Sequence, residues 1–349
     1  MAITKMRFSQ FTAFEKLDFI ASPGINVLLG ANGTGKTHLM KVAYAACDVS
    51  KTKIDFAGKL VCVFMPSLFN LGQLVRQQPT DSPYSDYRVE VFRGDLSIHD
   101  YYSRHIMGSN EIAAASATAS AAAKKWYDHP VESVYIPSKE ILAHAPGFRS
   151  LYSQNEIHFE EIYADILGCA YRLPLHDPID HNRKRLLANL QEMIGGEVKI
   201  KGEEFFLRSE QGDLAFMLLA EGTRKLGLLW QLIQNGSILE GSILFWDDPE
   251  INLNPKLIGP LVEILLELQR MGVQIFIATH DYVILKELDL RMNAQDQIAF
   301  HSLYREPENG PVHVHTTEFY LDIHPNAITQ AFDSLYDREV GRSLRGEGE

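Results

Sequence analysis

The chain has 349 residues, with 33 Lys and Arg against 45 Asp and Glu, a formal charge of -12, and 46% hydrophobic residues. That length gives one large domain or two ordinary ones ample material for a core, and 22% charged residues with ordinary Gly and Pro content exclude a disordered or fibrous chain. The acidic balance disfavours a protein that coats nucleic acid along its whole surface, while leaving room for a local basic groove.

From the N-terminus, residues 4–20 step between apolar and polar (Met6, Phe8, Phe11, Phe14, Leu17, Phe19), as half-buried antiparallel strands do. After Ser22-Pro23-Gly24 a buried strand, Ile25 to Leu29, runs into Gly30-Ala31-Asn32-Gly33-Thr34-Gly35-Lys36-Thr37, and a helix follows to about Ala46. Residues 59–65 and 86–98 read as strands, the Ala-rich stretch 111–125 as a helix, and 131–136 as a strand closed by Pro137. From 154 to 193 the pattern is helical, interrupted by the Pro174–Pro178 turn region, and a hairpin around Val198–Leu207 leads to a helix from Glu221. A strand (243–246), a helix (256–269), a strand (273–278) and a helix from Asp281 come next. Two strands (297–303 and 311–318) and a helix near 326–338 complete the pass, with 342–349 as a disordered tail. Strands alternating with helices predict a parallel α/β core.

The three cysteines, at 47, 62 and 169, lack the spacing of a zinc site or a disulfide framework. No apolar run reaches the ~18 residues of a membrane span, and the N-terminus lacks an apolar secretory core, so a cytoplasmic location without a membrane partner is expected.

Gly30-x-x-x-x-Gly35-Lys36-Thr37 is a full phosphate-loop pattern between a strand and a helix. Its glycines let backbone N–H groups turn inward as an anion nest at a helix N-terminus. Asn32, Gly33, Thr34 and His38 are counted with its binding residues, Lys36 reaches the β- and γ-phosphates, and the Thr37 hydroxyl is a ligand for Mg²⁺. A nucleoside triphosphate is the expected ligand. Ile243 to Trp246 is an apolar strand that delivers Asp247 and Asp248 at its carboxyl end, where α/β sheets place their ligands. Asp247 is expected to hold the metal and Asp248 to orient or deprotonate the attacking water. About 210 residues separate Lys36 from Asp247, too many for a compact GTPase or kinase.

Two more segments narrow the class: Leu219-Ala220-Glu221-Gly222-Thr223-Arg224-Lys225, a small-residue turn opening an amphipathic helix, and Ile275 to Asp281, a buried strand delivering His280. With these the chain resembles the ABC-type ATPase heads of the SMC, RecF and OLD-like group, as found in bacterial anti-phage defence systems. Residues 30–37 are similar to that group's GxNGxGK[ST] loop, Asp247-Asp248-Pro249-Glu250 with Asn254-Pro255 to its D-E-P-E-x-x-L-H-P segment, and Ala278-Thr279-His280 to its switch strand. The resemblance implies a P-loop NTPase with a mixed central sheet, an antiparallel β subdomain and a helical lobe. One composite head over 1–341 is expected, with the nucleotide core at 1–135 and 197–341 and the lobe at 140–196. It further implies Mg²⁺ and ATP as cofactors, and a homodimer that closes face to face on ATP, with Glu221, Gly222 and Thr223 of one subunit meeting the γ-phosphate of the other. Higher assembly and a separate effector protein, a nuclease or toxin, follow from the same resemblance. A RecF-like repair ATPase that binds DNA directly is the alternative; a transporter ATPase with a membrane partner is a third reading, which the 219–225 turn and the 247–255 segment fit poorly, and a non-enzymatic use of ATP as a dimerisation ligand stays open on account of Asp248 and Ala220.

Weaker candidates are Phe11 and Phe14 beside the adenine, the segment Ile136–Glu140 or Gln73 as a glutamine-loop equivalent, and His313 with His315 as the start of a metal site. Arg183-Lys184-Arg185 and Lys124-Lys125 are short basic runs. Two departures from the family pattern stand out: Ala220 replaces a serine, and Asp248 stands where the catalytic glutamate is usual. A carboxylate one methylene short misplaces the attacking water, and about 1 Å of misplacement can cost on the order of 100-fold in rate. Slow turnover is therefore expected, with Asp248→Glu raising kcat about tenfold or more in a steady-state phosphate-release assay; an unchanged rate would count against the assignment.

Overall fold

The computed structural model describes residues 2–77, 86–103, 121–154, 157–175 and 180–344. In chain order the strands and α-helices are β1 (Lys5–Phe11), β2 (Phe14–Ile20), β3 (Ile25–Leu29), α1 (Lys36–Thr52), α2 (Phe56–Phe64), β4 (Asp86–Arg93), β5 (Leu96–Ser103), α3 (Ala121–Asp128) and β6 (Ser133–Ile136). Then come α4 (Phe148–Ser153), α5 (Glu161–Ala170), α6 (His181–Ile194), β7 (Glu197–Lys201), β8 (Glu204–Ser209) and β9 (Gly212–Ala215). The last group is α7 (Glu221–Gln234), β10 (Ile243–Asp247), α8 (Ile258–Arg270), β11 (Gln274–Ala278), α9 (Tyr282–Arg291), β12 (Ile298–Arg305), β13 (Val312–Thr317) and α10 (Ala327–Leu344).

The central sheet has the order β13-β12-β3-β11-β10-β6, and every neighbouring pair is parallel except β12 with β13. β3, β10 and β11 in its interior are buried at every position and mostly apolar, as strands covered on both faces are. Alternate side chains then serve two cores. Val27, Leu29, Leu244, Trp246, Ile275 and Ile277 face the cluster that includes α6, α7 and α8. Leu28, Phe245 and Phe276 face the other, built with α1 and the antiparallel sheet β2-β1-β4-β5. Helix α1 is buried without a break from Leu39 to Ser50, because it is packed on more than one side. A third sheet, β7-β8-β9, is antiparallel; the hairpin read around 198–207 gains β9 as an added strand.

The structure departs from the sequence reading in three places. Residues 59–65 are not a strand: Phe56–Phe64 is helix α2, whose N-cap Asp55 accepts a hydrogen bond from the Gly58 amide at 3.1 Å. Tertiary contact holds it there, since buried Lys59 reaches Asp48 of α1 at 2.8 Å and Glu161 and Asp165 of α5 at 3.1 and 2.7 Å. Second, α10 continues to Leu344, so 342–344 are helical, and 345–349 lie outside the described residues. Third, only 121–125 of the expected Ala-rich helix fall among the described residues, within α3; 111–120 lie outside them. Among the described residues no helix is long and apolar enough to cross a membrane.

One buried group makes the fold sensitive to acid. His301 is fully buried on β12, between Thr316 Oγ1 at 2.9 Å and Asn26 Oδ1 at 3.1 Å, with its ring 4.4 Å from that of Phe19. Burial pulls its pKa down from 6.5 to about 3. The unfolded chain therefore takes up a proton near pH 6.5 that the folded chain refuses until about pH 3, and the stability His301 supplies above pH 6.5 is lost as pH falls. Urea unfolding between pH 6.5 and 4.5 should lose about 1 kcal/mol per pH unit more in wild type than in His301→Gln; parallel slopes would overturn this.

Candidate functional site

The phosphate loop leaves β3 at Gly30 and enters α1 at Lys36. Two of its glycines are forced. At Gly30 (φ +141°) a Cβ would lie 2.1 Å from the Leu303 carbonyl oxygen, and at Gly35 (φ +93°) 2.6 Å from the ring of Phe14. Phe11 and Phe14 are thus core residues, with Phe14 packed under the loop, and neither stands free to stack on a base. Ala31, Asn32 and Gly33 form the exposed apex. Thr34 Oγ1 donates to the Ala31 carbonyl at 2.9 Å, and Lys36 Nζ donates to the carbonyls of Gly30 and Ala31 at 2.8 and 3.1 Å. The lysine is 6% exposed, and burial lowers its pKa to about 8 against the pull of Asp248, Asp247 and Glu250.

Asp247 closes on this loop from β10. Thr37 Oγ1 donates to its Oδ2 at 3.0 Å, and buried Tyr135 of β6 donates to the same oxygen at 3.3 Å. Burial, then the neighbouring Asp248, raise the Asp247 pKa to about 6 despite those two hydrogen bonds. A hydroxyl and a carboxylate side by side suit Mg²⁺, which keeps waters and ligand phosphates in its octahedron. Among the described residues no group of three or more His, Cys, Asp or Glu could cage a metal by itself. The residues present therefore fit a Mg-nucleotide, which Thr37 and Asp247 would hold.

Asp248 follows in a left-handed conformation, φ +47°, its amide bonded to the Ala278 carbonyl at 3.0 Å. His280 is at the end of the neighbouring β11, and its amide donates to Glu250 Oε1 at 3.0 Å. Thr279 Oγ1 donates to the same oxygen at 2.8 Å, so Glu250 ties the His280 turn to the Asp248 turn. Burial and the nearby Lys36 lower the His280 pKa, opposed by Asp248.

Not every expected residue reaches this cluster. The ring of His38 is edge-on to Phe64 of α2 at 5.5 Å, on the α2 side of α1. Glu221, Gly222 and Thr223 open α7 behind the N-cap Ala220, which supplies no side-chain cap. Among the described residues this turn has no hydrogen bond to the phosphate loop; Glu221 Oε2 instead accepts from Asn252 Nδ2 at 2.7 Å. Glu140 is engaged by Arg224 at 3.0 Å, and Gln73 is exposed in a short helical turn near the end of β1. His313 sits beside Tyr304 on β13. Arg183 is buried and caps the carboxyl end of α7 through the Ile233 and Gln234 carbonyls, Arg185 pairs with Glu267, and all three cysteines are free.

Sequence reasoning missed Tyr135 and the linking role of Glu250. Tyr135 reaches Asp247 only because β6 lies beside β10 in the sheet, a pairing with no local signal.

Residues 79–286, well over half of the chain, match the family described as "AAA domain, putative AbiEii toxin, Type IV TA system". Among curated proteins, the chain is 21% identical over 174 residues to the DNA replication and repair protein RecF of Vibrio atlanticus, covering 50% of this chain and 44% of that one. It is 28% identical over 76 residues to RecF of Renibacterium salmoninarum, covering 22% and 19%. The matched stretches span less than half the length of these relatives. Among solved structures, an SMC head bound to the C-winged helix domain of ScpA superposes with a TM-score of 0.53 at 12% identity, over 91% of this chain and 98% of that one. The Smc head of Pyrococcus furiosus with an extended coiled coil, bound to the C-terminal domain of ScpA, gives 0.52 at 11% over 97% and 99%. The fold is that of an SMC-type head.

The raised pKa of Asp247 has a testable sign. Its neutral form suits the folded chain, so the stability it supplies is full below pH 3.8 and is lost as pH rises through about 6. Asp247→Asn should stabilise the nucleotide-free protein at pH 8 by about 2 kcal/mol, and abolish the Mg²⁺-dependent rise in Tm on adding ATP. A variant less stable than wild type at pH 8, in thermal unfolding, would overturn this.

Proposed function

The chain belongs to this AAA-domain family of SMC/RecF-like ATPases, and from that premise we propose that it binds and hydrolyses Mg-ATP at the 30–37 loop. It dimerises face to face around the nucleotide and uses hydrolysis as a switch on a separate effector protein. The observation that carries the nucleotide reading is the meeting of Thr37 Oγ1 with the Asp247 carboxylate at 3.0 Å, next to buried Lys36. Mg²⁺ and the triphosphate, when bound, supply a polarised γ-phosphoryl group with its charge partly neutralised. Lys36 exchanges its two loop carbonyls for phosphate oxygens, and backbone N–H groups of the loop hold them. Asp248 accepts a proton from the attacking water, and His280 donates to the γ-phosphate or orients that water.

The dimer reading is supported by the α7 N-terminus. Ala220 leaves the first-turn N–H groups without a side-chain cap, and such groups favour an anion supplied from outside. In a sandwich that anion is the γ-phosphate held by the second copy. The matching family's description names a putative AbiEii toxin of a type IV toxin–antitoxin system; control of a separate nuclease or toxin in an anti-phage complex goes beyond that description and rests on the resemblance of the motifs. The similarity to RecF proteins favours a second reading, direct binding of DNA with Mg-ATP; the net charge of -12 weighs against it.

Light scattering with and without Mg-ATP tests the core of the proposal. Wild type should double in mass, or assemble further, on Mg-ATP, and Lys36→Ala should stay at its starting mass. ATP binding with no change in mass would overturn the sandwich. A Mg-ATP-dependent shift of duplex DNA in a gel would favour the second reading.

A further inference from the structure

Three charged residues open α7, and two of them, Glu221 and Lys225, grip the loop that follows β10. Glu221 accepts from Asn252, and Arg224 pairs with Glu140, whose side chain is 1% exposed. Lys225, itself 1% exposed, turns its Nζ onto the loop after β10, donating to the Ile251 carbonyl at 3.1 Å and the Asp248 carbonyl at 3.5 Å. That loop is bent sharply: Asp248 and Asn252 both lie in the left-handed region, at φ +47° and +62°, where a non-glycine residue costs energy. The Asp248 carbonyl also accepts from the Ile251 amide at 3.2 Å, so Lys225 sits on the closing bond of the turn that contains Asp248. At Gly222 the approach is so close that a Cβ would stand 2.5 Å from the Asn252 carbonyl oxygen.

Sealing a lysine in the protein interior is costly unless its donors are used, and two backbone carbonyls of one strained turn use them here. Without Nζ those carbonyls lose a charged donor and the left-handed Asp248 loses a bond that holds it. Resting on the assignment of Asp248 above, we propose that Lys225 is a positioning residue: it clamps the 248–252 turn to the start of α7 and thereby fixes where the Asp248 carboxylate points. The helix turn offered to a second copy and the carboxylate that acts on the chain's own nucleotide are then one rigid piece. Lys225 Nζ is spent on the Ile251 and Asp248 carbonyls, so it acts through Asp248.

The test compares Lys225→Met, which keeps length and apolar bulk without donors, with Lys225→Arg, which keeps a charged donor. In nucleotide-free protein, hydrogen exchange in a peptide spanning 248–254 should accelerate in Lys225→Met by about tenfold or more, and stay near wild type in Lys225→Arg. In phosphate-release assays Lys225→Met should lose on the order of 10- to 100-fold in kcat while the Kd for Mg-ATP changes by less than about threefold, with much of the loss restored by arginine. Unchanged exchange in 248–254 overturns the clamp, and equal losses in kcat and ATP affinity overturn the positioning role. Should Lys225→Met fail to fold, Lys225→Gln, with two neutral N–H donors in place of three charged ones, takes its place in both arms. A wild type that binds no Mg-ATP sinks the site assignment instead, and the exchange experiment still decides the clamp.

Discussion

Three parallel strands, β3, β11 and β10, end level with one another, and the site depends on that register. Leu28 pairs with Ala278 and Ala278 with Asp247, so the phosphate loop, the Thr279–His280 turn and the Asp247–Asp248 pair all leave the sheet at one edge. A slip of one residue would turn Asp247 to the opposite face and put an apolar side chain at the end of the strand. The two-sided burial of these strands makes that slip expensive, because Phe245 and Phe276 stack at 5.1 Å on one face while Trp246 and Ile277 fill the other. The polar cluster is aligned by apolar packing it takes no part in.

The cost of that alignment is concentrated in a few buried charges, and each is offset by named partners. Asp247 is 7% exposed and is relieved by two hydroxyl donors. Lys36 rests on the carbonyls of its own loop, a bond set that a phosphate can replace without leaving the ammonium bare. Further along α1, Lys41 binds Glu160 at 2.6 Å and Tyr44 binds Asp165 at 2.7 Å, while Lys59 of α2 gathers Asp48, Glu161 and Asp165. Helix α5 is thereby held to the helix that starts at the phosphate loop by ionic contacts as well as apolar ones. Buried ion pairs of this kind add little net stability but penalise any arrangement that separates them.

What could be read directly from the sequence follows from how local the signal is. The phosphate loop, Asp247 and His280 each terminate a short apolar run, and a run with a polar end announces a strand delivering a side chain. Residues 59–65 carried the same apolar density, Leu60-Val61-Cys62-Val63-Phe64, and misled for that reason: the N-cap at Asp55 and the ties of Lys59 to α1 and α5 decide for a helix. Tyr135, Glu250 and Lys225 were invisible as a set because their partners lie 112, 30 and 26 residues away and meet only through sheet order. His38 was credited to the ligand by adjacency in sequence, and the 3.6-residue period of α1 carries its ring round to Phe64.

The two departures from the family pattern, Ala220 and Asp248, acquire a common physical setting. A serine at 220 would satisfy first-turn amides of α7 from within the chain; alanine leaves them for an external anion and removes one competitor for it. Asp248 has a shorter reach than glutamate, and its backbone adopts the left-handed conformation that swings the side chain away from the strand direction. That conformation is held from three sides, by the Ala278 carbonyl at its amide and by the Ile251 amide and Lys225 at its own carbonyl. A carboxylate one methylene short cannot recover its reach by flexing, so any water it does address depends on how rigidly this turn holds its backbone. On this argument the residue to compare between fast and slow heads is the one that clamps the turn as much as the acid it carries.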